Sequence, residues 1–282
     1  MTELHILHSG ESAFLAPEQS GFAHGYGIFE TMRLKDGRLC FWAEHWKRLV
    51  RSAAALALPL NRDPDVVLAA VAELTRNENL RDGTIKLSLL RDGEERARLF
   101  VYARPLTNFP ETAGLYLDER WPMNPHSPLA GHKTHNYMEN MLVLRHARGA
   151  GYDDAVRVNV DGALTETTVA NLFFFRGGTL CTPSLGTGAL PGIVRGAVIE
   201  VACSSGITLE EGAFSPACLR EAELAFVTNA SCGMLPVERI EGQASGEAFH
   251  CCLPSSDSAA MHLLRAGLAD AEERAATPVL QK

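Results

Sequence analysis

The chain has 282 residues, 46% hydrophobic and 21% charged, with a formal net charge of −8. That is the composition of a soluble globular protein long enough for two ordinary domains, and its negative balance argues against a general nucleic-acid binder. No apolar run reaches the roughly eighteen residues of a membrane helix, and the Met-Thr-Glu-Leu-His-Ile start lacks a secretory pattern, so a cytoplasmic location is expected. Seven cysteines with no Cys-x-x-Cys spacing signal neither a zinc ribbon nor a disulfide framework.

The first elements alternate strand and helix. Phe29–Leu34 and Arg38–Trp42 flank the Lys35-Asp36-Gly37 turn and form an expected hairpin. Ala43–Leu58, with its stripe of Trp46, Leu49, Val50 and Ala53, reads as a helix. Asp63-Pro64-Asp65 opens a second helix that should run to about Asn77. Strands are expected at 84–90, 98–103 and 114–120. Residues 121–128 hold three prolines and read as a linker, so the chain divides into a small domain (1–120), a linker (121–130) and a larger domain (131–282).

Beyond the linker, Thr134–Gly149 reads as a helix ended by Gly149-Ala-Gly151. Strands are expected around 155–160, 164–166, 172–176 and 180–182, with turns at Asp161-Gly162 and Gly177-Gly178. Pro191-Gly192 should open a helix to about Gly206, followed by a strand at 207–211. Strands at 225–228 and 234–240 bracket the Asn229–Gly233 loop. Ser255-Ser256-Asp257 is expected to cap a final helix reaching about Ala276. The pattern is α+β in two domains, without internal repeats.

Lysine is scarce, five residues against twenty-one arginines. Lys35 sits in a turn, Lys47 on a charged helix and Lys282 at the end, which leaves Lys133 and Lys86. Lys133 lies in the irregular Pro128-Leu-Ala-Gly-His-Lys133-Thr-His-Asn-Tyr137 stretch, where a rigidly held amine could meet a carbonyl cofactor. A solvated loop lysine would look the same. Gly192, Ile193 and Val194 could offer helix-terminal amides to a phosphate, or follow a proline that merely starts a helix. Thr228, Asn229 and Ala230 could form a second anion cradle, or an ordinary polar loop. Glu166 could face a pyridine nitrogen or solvent, and Arg48 a phosphate or the helix surface. His126, His132 and His135 show no His-Glu-x-x-His spacing, so no metal is expected.

Taken in order, these pieces resemble the class-IV, fold-type-IV pyridoxal-phosphate enzymes. That family includes 4-amino-4-deoxychorismate lyases and the D-amino acid and branched-chain aminotransferases. The matching segments are Gly21–Arg33, Glu44-His45-x-x-Arg48-Leu49, Lys133-Thr-His-Asn136-Tyr137, Asp161–Phe173, Thr182-Pro183, Leu190–Arg195 and Thr228-Asn229 with Gly233 and Pro236-Val237. The resemblance implies a D-amino acid aminotransferase-like fold, a small α/β sandwich plus a larger pseudo-barrel domain, with the cofactor in the cleft near the linker of a homodimer. It makes Lys133 the Schiff-base lysine and proton-transfer base, Glu166 the partner of the pyridine nitrogen, and Tyr137 a neighbour of the phenolic oxygen. Arg48, the amides of Gly192, Ile193 and Val194, and the Thr228–Ala230 loop would hold the phosphate. Tyr26, Thr31 and Arg104 are the substrate-side candidates. Tyr26 stands where the family often has an acid, and Val194 where it often has a threonine. Lys86 falls where an arginine is common. Phe29–Arg33 followed by the compact Lys133–Tyr137 segment is more similar to the lyases, which release pyruvate and 4-aminobenzoate for folate synthesis, than to the branched-chain aminotransferases. The substrate-carboxylate clamp of the D-amino acid enzymes has no clear equivalent near Tyr102–Leu106. A cofactor-binding relative without turnover is the third reading.

Overall fold

The computed structural model describes residues 1–106, 108–244, 246–253 and 258–280. Contacts divide the chain into two units. One comprises Met1–Asn108, His132–Asn136 and the segment from Glu272 onward; the other comprises Phe109–Gly131 and Tyr137–Ala271.

The first unit is built on strands β1 (Thr2–Leu7), β2 (Gly27–Lys35), β3 (Arg38–Leu39), β4 (Gly83–Arg91) and β5 (Ala97–Arg104). They lie in the order β1-β5-β4-β2-β3, with a short strand at Thr277–Pro278 beyond β3. Side chains alternate across such a sheet with a period of two. One face therefore collects Ile28, Met32, Leu34, Ile85, Leu87, Leu89, Leu99 and Val101 into the core. Helices α1 (Trp42–Ala55) and α2 (Pro64–Asn77) cover that face, contributing Leu49, Ala53, Val67, Val71 and Leu74. The Asp63 side chain accepts from the Asp65 amide and caps α2, as the Asp-Pro-Asp start predicts. The opposite face carries the cross-strand rows Phe29–Ser88–Phe100 and Thr31–Lys86–Tyr102.

The second unit holds a nine-stranded sheet. Its strands are β6 (Ala113–Met123), β7 (Asp154–Asn159), β8 (Leu164–Thr167), β9 (Asn171–Arg176), β10 (Thr179–Pro183), β11 (Leu209–Gly212), β12 (Leu224–Asn229), β13 (Gly233–Ala244) and β14 (Glu247–Cys252). The order is β11-β10-β9-β12-β13-β6-β7-β8, with β14 also paired to β13. Leu115, Leu117, Val156, Leu172, Phe174, Phe214 and Ile240 belong to its apolar core. Phe173 and Phe226 stack 5.0 Å apart from neighbouring strands. Helices α3 (Met138–Gly149), α4 (Ile193–Ser204) and α5 (Ala259–Arg274) follow the strands, and α4 packs against β12.

Most expected elements are present to within a few residues, but five readings change. The strand expected at Arg38–Trp42 stops at Leu39, because Phe41 turns left-handed as the N-cap and Trp42 opens α1. The helix expected from Thr134 starts at Met138. The His135 amide donates to the Gly27 carbonyl and the Phe29 amide to the Lys133 carbonyl, both at 2.9 Å, while Thr134 bridges Ile28. Backbone extended along a strand edge cannot hold helical dihedrals at the same residues. The proline-rich stretch read as linker from residue 121 begins instead as strand, because β6 continues through Trp121, Pro122 and Met123. Its ladder to β7 is interrupted between Asp118 and Met123, so the missing Pro122 N–H breaks no pairing. Pro191 is not the first helical residue; Gly192 is the N-cap and Ile193 starts α4. Strands β1 and β14 are not among the expected elements; β1 reads Thr-Glu-Leu-His-Ile-Leu, a short polar-apolar edge with little β-branching. The Ser255–Asp257 cap lies outside the described residues.

Gly242 marks where β13 passes β6. Its φ is +145°, and a Cβ there would lie 2.3 Å from the Leu117 carbonyl oxygen. Gly242→Ala should therefore cost roughly 2–4 kcal/mol in urea unfolding. Gly246→Ala, at φ +79° in open space, should cost only about 1 kcal/mol.

Candidate active site

Lys133 is fixed through its backbone. The strand-like pairing to β2 holds the Lys133–His135 segment, His132 Nδ1 sits 2.9 Å from the Ser52 hydroxyl, and the Asn136 amide donates to the Gly25 carbonyl at 3.0 Å. Gly27 makes the approach possible: a Cβ there would lie 2.7 Å from the Leu89 carbonyl and 3.0 Å from the His135 ring. The Lys133 ammonium lies 4.5 Å from the centroid of Phe29, and Lys86 reaches the same ring at 4.7 Å. The rival lysine is thus a neighbour of the first. Burial, then the charge of Arg104, lowers the Lys86 pKa. His135 packs on Phe29, and its Nε2 is buried without a partner. Burial first, and the Lys86 charge second, pull His135 down to about 4.

Arg48 is buried on α1 rather than spread over the helix surface. Its Nε and Nη2 donate to the two Glu30 oxygens at 2.8 and 2.6 Å, and His45 Nδ1 lies 2.7 Å from the same carboxylate. Burial raises the Glu30 pKa, but the Arg48 charge and hydrogen bonds outweigh it and hold the acid at about 2. Burial pulls the His45 pKa down, against the pull of Glu30. Sequence reasoning gives Glu30 and His45 no role. A signal exists: Glu30 shares its face of β2 with Ile28, Met32 and Leu34, and a lone acid on a core-facing stripe needs a buried cation.

Of the substrate-side candidates, Tyr26 gives its hydroxyl to the Leu56 carbonyl at 2.7 Å and packs against the first unit's core. Thr31 pairs with Lys86 across β2 and β4. Arg104 ends β5 and lies over the Tyr102 ring.

In the second unit Glu166 sits on β8. Its Oε2 accepts from Asn171 Nδ2 at 3.0 Å and from the Leu190 amide at 3.1 Å, and Asn171 also donates to the Leu190 carbonyl. The same Asn171 presses on Gly192, where a Cβ would come within 2.0 Å of its Oδ1. Glu166 is therefore locked to the turn that leads into α4. Gly192 brings no side-chain cap to that helix, so its first amides, Ile193 and Val194 among them, are ones an anion could use. Val194 itself is buried. On the adjoining β12, Thr228 is buried and its hydroxyl has no partner among the described residues. Asn229 shapes the following loop, accepting from the Ser231 and Cys232 amides at 2.8 and 2.9 Å. An uncapped helix start beside an unpartnered buried hydroxyl suits a phosphate group. Tyr137, the N-cap of α3, donates its hydroxyl to the Thr168 carbonyl at 2.8 Å. Burial, then the Glu166 charge, raises its pKa, so the hydroxyl keeps its proton. Among the described residues no group of three or more His, Cys, Asp or Glu side chains could hold a metal ion, and no helix is long and apolar enough to cross a membrane.

The model of one family, amino-transferase class IV, matches residues 27–240. Aminodeoxychorismate lyase of Bacillus subtilis is 28% identical over 254 residues, covering 84% of this chain and 87% of the relative. Branched-chain-amino-acid aminotransferase of Salmonella typhimurium is 30% identical over 244 residues, 79% of each. The structure of a T.th. branched-chain amino acid aminotransferase, complexed with N-(5'-phosphopyridoxyl)-L-glutamate, superposes with a TM-score of 0.81 at 22% identity. The match covers 96% of this chain and 95% of the other. The mixed α/β architecture is that of the fold-type IV aminotransferases.

Two outcomes follow from the buried charges. Glu30→Ala should cost about 3–5 kcal/mol because it strands Arg48, whereas Glu30→Met combined with Arg48→Met should cost clearly less in the same urea titration. His135 is neutral in the folded state and binds a proton near 6.5 when unfolded, so the unfolded state holds more protons between pH 6.5 and 4. Stability should fall as pH drops through that window, and His135→Gln should flatten the slope.

Proposed function

The chain belongs to the amino-transferase class IV family, whose enzymes work with pyridoxal 5'-phosphate, and we propose that its reaction is the release of pyruvate from 4-amino-4-deoxychorismate, leaving 4-aminobenzoate. What carries the choice of lyase is the similarity to the Bacillus subtilis lyase, which extends over 87% of that protein. An aminotransferase is the alternative, supported by the 30% identity to the Salmonella typhimurium branched-chain enzyme. On the same reading the protein acts as a homodimer in the cytoplasm on a small amino substrate.

When bound, the cofactor supplies an electron sink for the pair of electrons left at the substrate carbon. The residues do the rest. Lys133 would hold the cofactor and, as a free amine, would take the proton from the substrate carbon. The Phe29 ring lies against its amine, and Lys86 reaches the same ring. Glu166, its Oε2 fixed by Asn171 and Leu190, would face the ring nitrogen and keep it protonated. Tyr137 keeps its proton and attends the ring's phenolic oxygen. The amides of Ile193 and Val194, the Thr228 hydroxyl and the Asn229–Ala230 loop would hold the phosphate, while Arg48 is engaged by Glu30. Lyase and aminotransferase share these groups and differ in where the proton is returned and what leaves.

Borohydride reduction of the cofactor-loaded protein should place one pyridoxyl adduct on Lys133. An adduct on Lys86 would reverse the assignment of the two lysines. The same preparation should release pyruvate from 4-amino-4-deoxychorismate and lose that activity in Lys133→Ala. Amino transfer from branched-chain L-amino acids or D-alanine without pyruvate release would favour the alternative.

A further inference from the structure

Asp154 is a buried acid that none of these roles uses. It opens β7, and its Oδ1 accepts from the Ala155 amide at 2.7 Å, from the Thr168 amide at 3.2 Å and from the Thr168 hydroxyl. These donors are backbone and hydroxyl groups, not a cation. Burying a carboxylate on such terms is costly, and an apolar side chain would fill the space at less cost.

The geometry around Thr168 shows what the acid holds. Asp154 grips the amide and hydroxyl of Thr168, and the carbonyl of Thr168 accepts from Tyr137 at 2.8 Å and from Asn140 at 2.9 Å. The turn is closed by the Thr167 amide and hydroxyl, which donate to the Ala170 carbonyl at 2.7 and 2.9 Å. Glu166 stands just before this turn and Asn171, which fixes Glu166, just after it. The Val169 carbonyl accepts from Asn229. One turn thus joins the tyrosine, the glutamate and the phosphate-side loop.

We infer that Asp154 is a positioning residue: its carboxylate anchors the Thr167–Ala170 turn and thereby sets the Tyr137 hydroxyl and the Glu166 carboxylate against the cofactor ring. The inference rests on the reading of Tyr137 and Glu166 given above. Asp154 also adds its charge to the effects of burial and Glu166 in raising the Tyr137 pKa. Leucine at 154 is the informative change, since it keeps about the same size but removes the Oδ1 acceptor that three donors share, which asparagine would retain.

Two measurements test this on Asp154→Leu and, should that variant fold poorly, on Thr168→Val. The first is the pH titration of the visible absorbance of the cofactor-loaded protein. Both variants should move its midpoint by about half a pH unit or more, in the direction given by Tyr137→Phe. The double variant should move it no further than the larger single one. The second is amide hydrogen exchange of the cofactor-free protein, where residues 166–171 should exchange about tenfold faster. A lowered melting temperature with an unchanged midpoint and unchanged exchange would make Asp154 a core-packing residue and overturn the inference. If Tyr137→Phe and Glu166→Gln both leave the midpoint at its wild-type value, the reading of those two residues fails instead. The anchoring of the turn by Asp154 then stands or falls on the exchange data alone.

Discussion

The backbone pairing between the Lys133–His135 segment and the edge of β2 is the constraint on which the rest of the site depends. Two 2.9 Å hydrogen bonds and the bridge from Thr134 to Ile28 hold the lysine's main chain as rigidly as a strand. A side chain rooted this way loses little further freedom when it meets a ligand. The pairing explains three local choices at once. It delays α3 to Met138, it requires the close approach at Gly27, and it sets Phe29 beneath the Lys133 ammonium.

The second unit solves a different problem, which is how to gather donors for an anion without using cations. Its candidate phosphate groups are the first amides of α4 and the unpartnered Thr228 hydroxyl, all neutral. Gly192 is essential there because Asn171 occupies the space a side chain would need. Asn171 thereby couples the helix start to Glu166 through hydrogen bonds of 3.0 and 2.9 Å. A loss of that asparagine would loosen two functional groups together, which is how contiguous hydrogen-bond networks behave.

Buried acids do the ordering in both units, by opposite means. Glu30 is paired with a full cation and a histidine, so it remains ionised and its partners are held in turn. Asp154 is met only by amides and a hydroxyl, and burial drives its pKa upward despite the Thr168 and Thr167 hydrogen bonds. Each lies in a strand otherwise rich in buried apolar residues, Glu30 among Ile28, Met32 and Leu34, and Asp154 at the head of Ala155, Val156 and Val158.

Much of the fold was legible in the sequence. Period-two runs located β2, β4 and β5, the Asp-Pro-Asp start located α2, and the ordered motifs around Lys133, Glu166, Pro191-Gly192 and Thr228-Asn229 named the family and its cofactor. These signals are local, because each depends on residues within one turn or one strand. Periodicity could not decide whether Thr134–Tyr137 is helix or strand edge, since the deciding hydrogen bonds come from Gly27 and Phe29, far away along the chain. Nor could it tell a surface Arg48 from a buried one, or single out Asp154 from the acids beside it. Those outcomes rest on which carboxylate, carbonyl or ring the fold brings within about 3 Å, and hydrogen bonding at that range is set by tertiary contact. The sequence determined most of the elements and singled out the candidate reactive groups; the tertiary structure alone decided what holds each of them still.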